Sequence, residues 1–141
     1  MITSHMHVKA PGFRRHIKDD ELVNDFMSGF SLAEAIKSEL KEHGYDRLEI
    51  VGEDYGWLVV AFHRSSGVEF GVTLSSLAEP EDDRDAVMEV MIAIQPQKRT
   101  KGMLWWKKDI GSEVGEFSET VFDFLRNTPG VDVLEEFADI A

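Results

Sequence analysis

Two adjacent carboxylates, followed by aromatics and a glycine, form the most distinctive motif of the chain, Glu53-Asp54-Tyr55-Gly56-Trp57. Carboxylates this close in sequence can share a proton or bind a divalent cation. A metal ion needs further ligands, and His63 is the nearest candidate. Glu53, Asp54 and His63 therefore define one hypothesis, a metal-dependent hydrolase. The structural alternative is a turn with solvated acids, whose Trp57 covers the edge of a sheet.

A basic segment with paired tryptophans indicates a second chemistry. Its cations and indoles are Lys98, Arg99, Lys101, Trp105, Trp106, Lys107 and Lys108. Cations neutralise phosphates and indoles stack on bases, so residues 98–108 are a candidate for a regulatory module that binds nucleic acid. The acidic remainder of the chain opposes this reading, because it repels phosphates. Inward packing of Trp105 and a protein interface, including that of a homodimer, are the alternatives.

Negative charge is concentrated in a loop that is predicted to start at Leu77 and contains Pro80. Its acids are Glu79, Glu81, Asp82, Asp83 and Asp85, in a chain with 27 acids, 15 bases and a net charge of −12. Acidic surfaces favour fast association with basic partners. We therefore take these acids as candidate contacts for a partner protein. Asp54 and Trp57 are their nearest rigid neighbours, and Trp105 and Trp106 are candidates on the basic segment.

Several classes of chemistry find no support in the sequence. The chain has no cysteine, which excludes disulfides, thiolate metal sites and cysteine nucleophiles. It also has no serine nucleophile elbow, no glycine-rich phosphate loop and no zinc-protease motif. His5, His7 and His16 could coordinate a metal, but a mobile tail explains them more simply. We expect no catalytic residues, no metal, no cofactor and no membrane span, and a cytoplasmic location.

The elements that position these residues follow from periodicity. Residues 1–18 are expected to form a flexible basic tail, in part matching a sequence left by expression vectors, and residues 19–141 a single α+β domain. Helices are predicted over residues 19–27, 31–43 and 113–126. Ser31 and Glu34 are predicted to form a capping box at the start of the second helix.

Strands are indicated where the apolar residues begin to recur at every second position. The first is predicted around Leu48 and Ile50. The next two, over residues 57–64 and 68–73, are joined as a hairpin by a Ser-Ser-Gly link. The fourth covers residues 88–94 and is ended by Pro96. Residues 131–141 fit either a short strand or a terminal helix. This order predicts an α+β fold: a single antiparallel sheet of about four strands, a meander, with two or three helices on one face.

The turn at residues 53–57, which follows a helix and a first strand, resembles a feature of small uncharacterised bacterial α+β proteins. Size, acidity and element order over about residues 31–95 are also similar to immunity proteins, which protect bacteria against toxins of neighbouring cells. The resemblance implies a non-enzymatic inhibitor that masks a partner protein, such as a toxin domain with a basic surface. The basic segment 98–108 departs from the uniformly acidic surface of such proteins.

Overall fold

A computed structural model describes residues 3–13, 17–22, 28–77, 89–99 and 111–139. Within these residues the backbone forms one antiparallel sheet of six strands. The strands are β1 (Thr3–Lys9), β2 (Asp46–Glu53), β3 (Gly56–His63), β4 (Val68–Ser76), β5 (Glu89–Arg99) and β6 (Asp132–Asp139). Their spatial order is β2-β3-β4-β5-β1-β6. A 3-10 turn (Ile17–Glu21) and two helices, α1 (Phe30–Glu42) and α2 (Gly111–Asn127), complete the described elements. Neither helix is long and apolar enough to cross a membrane.

The predicted α+β class and single antiparallel sheet are confirmed, but the number of strands is six rather than about four. The two additional strands come from the ends of the chain. β1 pairs with both β5 and β6, and its Met6 and Val8 are fully buried. Thr3–Lys9 is thus an inner strand and not part of a flexible tail over residues 1–18. β6 resolves the alternatives for residues 131–141 in favour of a strand.

One face of the sheet and both helices share a single core. Val59, Val72 and Ile94 form a fully buried cross-strand row on that face. The helices cover it with apolar stripes, consisting of Leu32, Ala33, Ile36 and Leu40 on α1 and of Val114, Phe117, Val121 and Leu125 on α2. Phe70 of β4 stacks on Phe117 with ring centroids 4.6 Å apart. Each such buried side chain contributes roughly 1.5–3 kcal/mol, so this layer supplies the main stabilisation.

The hairpin between β3 and β4 is present as predicted, whereas β5 is longer than predicted. The Gly67 N–H donates to the His63 carbonyl oxygen across the hairpin turn, at 2.9 Å. β5 passes through Pro96 and continues to Arg99. The β4–β5 register shifts between Glu69 and Phe70, next to the proline. A proline, which lacks an N–H donor, is tolerated at such an irregularity.

Both outer strands of the described sheet carry a register irregularity. In β2 it lies between Asp46 and Glu49, where Arg47 has a φ of 49°. In β6 it falls at Leu134, which has no partner in the register with β1 and is 49% exposed. Bulges twist a strand and disfavour its pairing with another sheet edge. We therefore expect partners to meet the faces of this fold rather than to extend its sheet.

The start of α1 differs from the predicted capping box. The helix begins at Phe30 after Gly29, and the Phe30 N–H donates to the Asp19 carboxylate at 3.1 Å. Asp19 lies in the 3-10 turn Ile17–Glu21, which occupies the start of the helix predicted over residues 19–27; residues 23–27 lie outside the described part of the chain. A side chain distant in sequence therefore accepts from the first N–H of α1, a donor that lies outside the capping box predicted at Ser31 and Glu34.

Arg126 fastens the end of α2 to β6. Its Nη2 and Nε atoms donate to the two carboxylate oxygens of Glu136 at 2.6 and 3.0 Å, and its Nη1 donates to Asp123 at 2.7 Å. The hydrogen bonds from Arg126 lower the pKa of Glu136. Because this pKa is depressed in the folded state, the contribution to stability is present above the unfolded-state pKa. It is lost as the pH falls through the folded-state pKa.

We expect Arg126→Gln to return the pKa of Glu136 towards its ordinary value and to weaken the acid dependence of stability in that window. A ¹³C NMR titration of the Glu136 carboxyl measures the first effect, and urea unfolding at several pH values the second. Arg64→Gln is the matched control, since it removes the Arg64–Asp46 ion pair at another edge of the sheet. An unchanged Glu136 titration in Arg126→Gln would contradict this assignment.

Candidate functional site

The motif at residues 53–57 forms the turn between β2 and β3. Glu53 ends β2, Asp54 is exposed in the turn, and Gly56 begins β3. The Ser76 N–H donates to the Tyr55 carbonyl oxygen at 2.8 Å, which fixes the turn against β4. The turn that the sequence predicted at this place, with an exposed acid, is therefore present.

Glu53, Asp54 and His63 do not converge on a common site. Glu53 pairs with Gly56 at one end of β3, and His63 is the last residue at the other end, about 23 Å away for a strand of this length. The ring of His63 lies on the core side, 5.6 Å from that of Tyr45, whereas the register directs Glu53 to the opposite face. Over the described ranges no group of three or more His, Asp or Glu side chains could hold a metal ion. The hydrolase hypothesis thus lacks the geometry that it required.

Trp57 lies in the core, where it joins three elements. It is 3% exposed, and its indole N–H donates to Asp19 at 2.8 Å. Asp19 is fully buried, and the same carboxylate oxygen accepts the Phe30 N–H. The ring of Phe30 meets the indole edge-on at 4.9 Å. At this exposure Trp57 offers a partner almost no surface, whereas Asp54 is exposed in the neighbouring turn. Their roles as partner contacts stay predictions.

The remaining predicted contacts lie outside the described residues. They are Glu79, Glu81, Asp82, Asp83 and Asp85 in the acidic loop, and Trp105 and Trp106 in the basic segment. Their roles stay predictions. The backbone of Lys98 and Arg99, at the start of the basic segment, belongs to β5 and pairs with Glu69 and Val68 of β4.

A groove between α1 and α2 brings together carboxylates that sequence reasoning did not single out. Its volume is about 680 Å³. It is lined by Glu39 and His43 at the end of α1, by Glu116, Glu119, Thr120, Asp123, Phe124 and Asn127 on α2, and by Thr128 and Pro129 after it. We call it the acidic groove. Its lining has four carboxylates and, among the residues that the structure describes, no lysine or arginine.

The spacing of its residues along α2 explains this groove. Glu116, Thr120 and Asp123 recur at intervals of four and three, so they share one helix face. The buried stripe that includes Phe117 and Val121 lies beside them. An apolar face that packs on the sheet therefore leaves an acidic face beside the end of α1.

Glu116 also acts on a buried phenol at this end of the sheet. The ring of Tyr45 packs edge-on against Phe117, with centroids 5.1 Å apart. Burial, and secondarily the negative charge of Glu116, raise the pKa of Tyr45 to about 12. Tyr45 therefore stays protonated at neutral pH, and Glu116 carries a negative charge next to the core.

The carboxylates of the groove differ in their ionic partners. Asp123 and Glu119 contact Arg126 at 2.7 and 3.5 Å. Glu39 lies 3.5 Å from the imidazole of His43. Within the described ranges Glu116 has no ion pair. The groove thus presents two carboxylates, Glu39 and Glu116, on opposite walls without a lysine or arginine partner among these residues.

No family model matches the chain, and no curated protein or solved structure matches it either. The acidic groove and its charge are therefore the basis on which a function is proposed.

Proposed function

We propose that this protein is a non-enzymatic acidic binding protein of the immunity or inhibitor type, which masks a basic surface of a partner protein. The observation that supports this proposal is the acidic groove, which four carboxylates line without a lysine or arginine among the described lining residues. Arg126 pairs with two of these carboxylates, so Glu39 and Glu116 carry the argument. Complementary charge accelerates encounter with a basic partner and disfavours acidic ones. The partner class is thus a protein, such as a toxin domain, with a cluster of lysines and arginines.

The apolar residues that line the groove support binding to a protein rather than to free cations. Phe124 is half-buried and Pro129 is exposed, and both line the cleft. Protein interfaces combine an apolar centre, which is desolvated on contact, with a polar rim. Glu39 and Glu116 belong to such a rim, and their charge would select the lysines and arginines that border an apolar patch on the partner.

The predicted acidic loop would form a second, separate surface. Leu77 and Glu89, which flank residues 78–88, are joined by a 2.9 Å backbone hydrogen bond, and the neighbouring Ser75 pairs with Gly56 beside the turn of Asp54. Glu39 and Glu116 of the acidic groove lie near the start of β2 and Tyr45, at the other end of the sheet. Pro129 of the groove precedes β6, whose Asp132 is aligned through Lys9 with Glu89 at the base of the loop. Substitutions of Glu39 and Glu116 can therefore be compared with substitutions in the loop.

The test compares charge reversals at the two ends of the sheet. Immobilised wild-type protein is expected to retain a basic protein from an extract of the producing organism, with recovery falling as salt screens the interaction. The double variant Glu39→Lys, Glu116→Lys should lower the affinity for that purified protein at least about a hundredfold, at roughly tenfold per 1.4 kcal/mol. Asp54→Lys, the matched control, should leave the affinity within about twofold, because its effect is screened beyond a Debye length.

Two results would contradict the proposal. One is a retained protein that is acidic or whose binding is insensitive to salt. The other is unchanged affinity in the Glu39→Lys, Glu116→Lys variant. Loss of affinity on Asp82→Lys, Asp83→Lys with no effect at the groove would assign the partner surface to the loop instead.

A further inference from the structure

We infer that the partner segment that enters the acidic groove is a basic amphipathic helix rather than an extended chain. This inference rests on the proposed function and specifies the partner of the same groove. Two features of the groove support it: the shape of its walls, and the placement of carboxylates on both sides of its apolar lining residues.

The walls of the groove are themselves helices. The end of α1 supplies Glu39 and His43, and α2 supplies the facing wall. A valley between two packed helices accepts a third helix, whose side chains fit between the ridges of its neighbours at interaxial distances of about 8–10 Å.

The apolar and charged lining residues together define the pattern of the ligand. Phe124 and Pro129 are apolar residues of the lining, while Glu39 on α1 and Glu116 on α2 stand on opposite walls. The matching surface is an apolar stripe with cations along both of its sides, which is the pattern of a basic amphipathic helix laid in a groove. Arg126 already contacts Asp123 and Glu119, so Glu39 and Glu116 are the carboxylates that the lysines of the ligand would meet.

Two synthetic peptides of identical composition test the inference. Each has about 18 residues and carries a fluorescent label. One arranges leucines three and four residues apart with lysines on both sides, and the other alternates leucine and lysine as in a strand. Fluorescence anisotropy with the full chain at low salt is expected to show at least about tenfold tighter binding of the helical peptide. Circular dichroism should show that this peptide gains helix on binding.

Single substitutions in the protein locate the binding. Glu116 is exposed on α2, so the substitution Glu116→Lys should preserve the fold. It should weaken binding of the helical peptide about tenfold. Asp54→Lys, at the far end of the sheet, should change the affinity less than twofold. Near-ultraviolet circular dichroism of both variants verifies that the core is intact.

The outcomes separate this inference from the proposed function. Equal affinity for both peptides, lost in Glu116→Lys, would overturn the helical ligand and leave the proposed function standing. Tighter binding of the alternating peptide would do the same. Binding of neither peptide would overturn both the helical ligand and the proposed function. This result is expected if the basic segment 98–108 or a second copy of the chain fills the groove. Peptide binding that Glu116→Lys does not alter would also overturn both.

Discussion

Replacing Gly56 with alanine is expected to lower the free energy of unfolding by roughly 3 kcal/mol or more. Gly56 has a φ of 144°, which L side chains rarely adopt, at the point where the turn enters β3. An added Cβ would lie 2.2 Å from the carbonyl oxygen of Leu74 and 3.3 Å from the nitrogen of Ser76. Both atoms belong to the backbone of β4, so relieving the clash would displace the β3–β4 ladder.

Two other glycines provide the controls for this prediction. Gly44 has a φ of 87° but open space around its Cβ position, so Gly44→Ala isolates the cost of the backbone conformation, about 1 kcal/mol. Gly115 lies in α2 with nothing within 4 Å of the position, and Gly115→Ala should stabilise the helix by roughly 0.5–1 kcal/mol. Urea unfolding followed by tryptophan fluorescence measures all three variants. A loss in Gly56→Ala no larger than that in Gly44→Ala would show that the close approach to Leu74 is relaxed.

Asp19→Ala is the second substitution with a large expected effect, a loss of about 3 kcal/mol in the free energy of unfolding. The fully buried carboxylate accepts hydrogen bonds from the Trp57 indole and from the first N–H of α1, on Phe30. Its removal leaves two donors without this acceptor, and each unsatisfied buried donor costs roughly 1–3 kcal/mol. The negative charge near the start of α1 is lost as well.

The matched control is Asp20→Ala, an exposed acid in the same 3-10 turn, for which we expect a change within about 0.5 kcal/mol. Asp19→Asn keeps an acceptor oxygen and should lose less than Asp19→Ala. A double-mutant cycle with Trp57→Phe should return a coupling of about 1 kcal/mol or more, since the two side chains form one hydrogen bond. Equal stabilities of Asp19→Ala and Asp20→Ala would refute the assigned role of Asp19.

The elements that the sequence predicted well are those defined by local periodicity. The apolar stripe of α2 has the spacing of a helix, and the alternation of Val68, Phe70 and Val72 has that of a strand. Each signal is complete within about a dozen residues. β1 was missed because its alternation of His5, Met6 and His7 is brief, and because its partners on β5 lie eighty or more positions away.

Predicting the acidic groove from the sequence would have required contacts between distant residues even more than predicting β1. The α2 side of the acidic groove was readable from Glu116, Glu119 and Asp123, which share a face of a predicted helix. The other wall, with Glu39 and His43, required knowledge of how α1 packs beside α2. Asp19 likewise lies 38 positions from Trp57, and no local motif links a buried carboxylate to an indole at that distance.

The place of β1 in the sheet has a consequence for biosynthesis. During translation this strand leaves the ribosome before either of its neighbours exists, and its pairing with β6 joins residues as distant as Thr3 and Asp139. Such long-range pairing is slow, because the entropy of loop closure is lost before the stabilising contacts form. The nascent chain therefore carries this strand unpaired, with Met6 and Val8 unburied, until β5 and β6 have been synthesised.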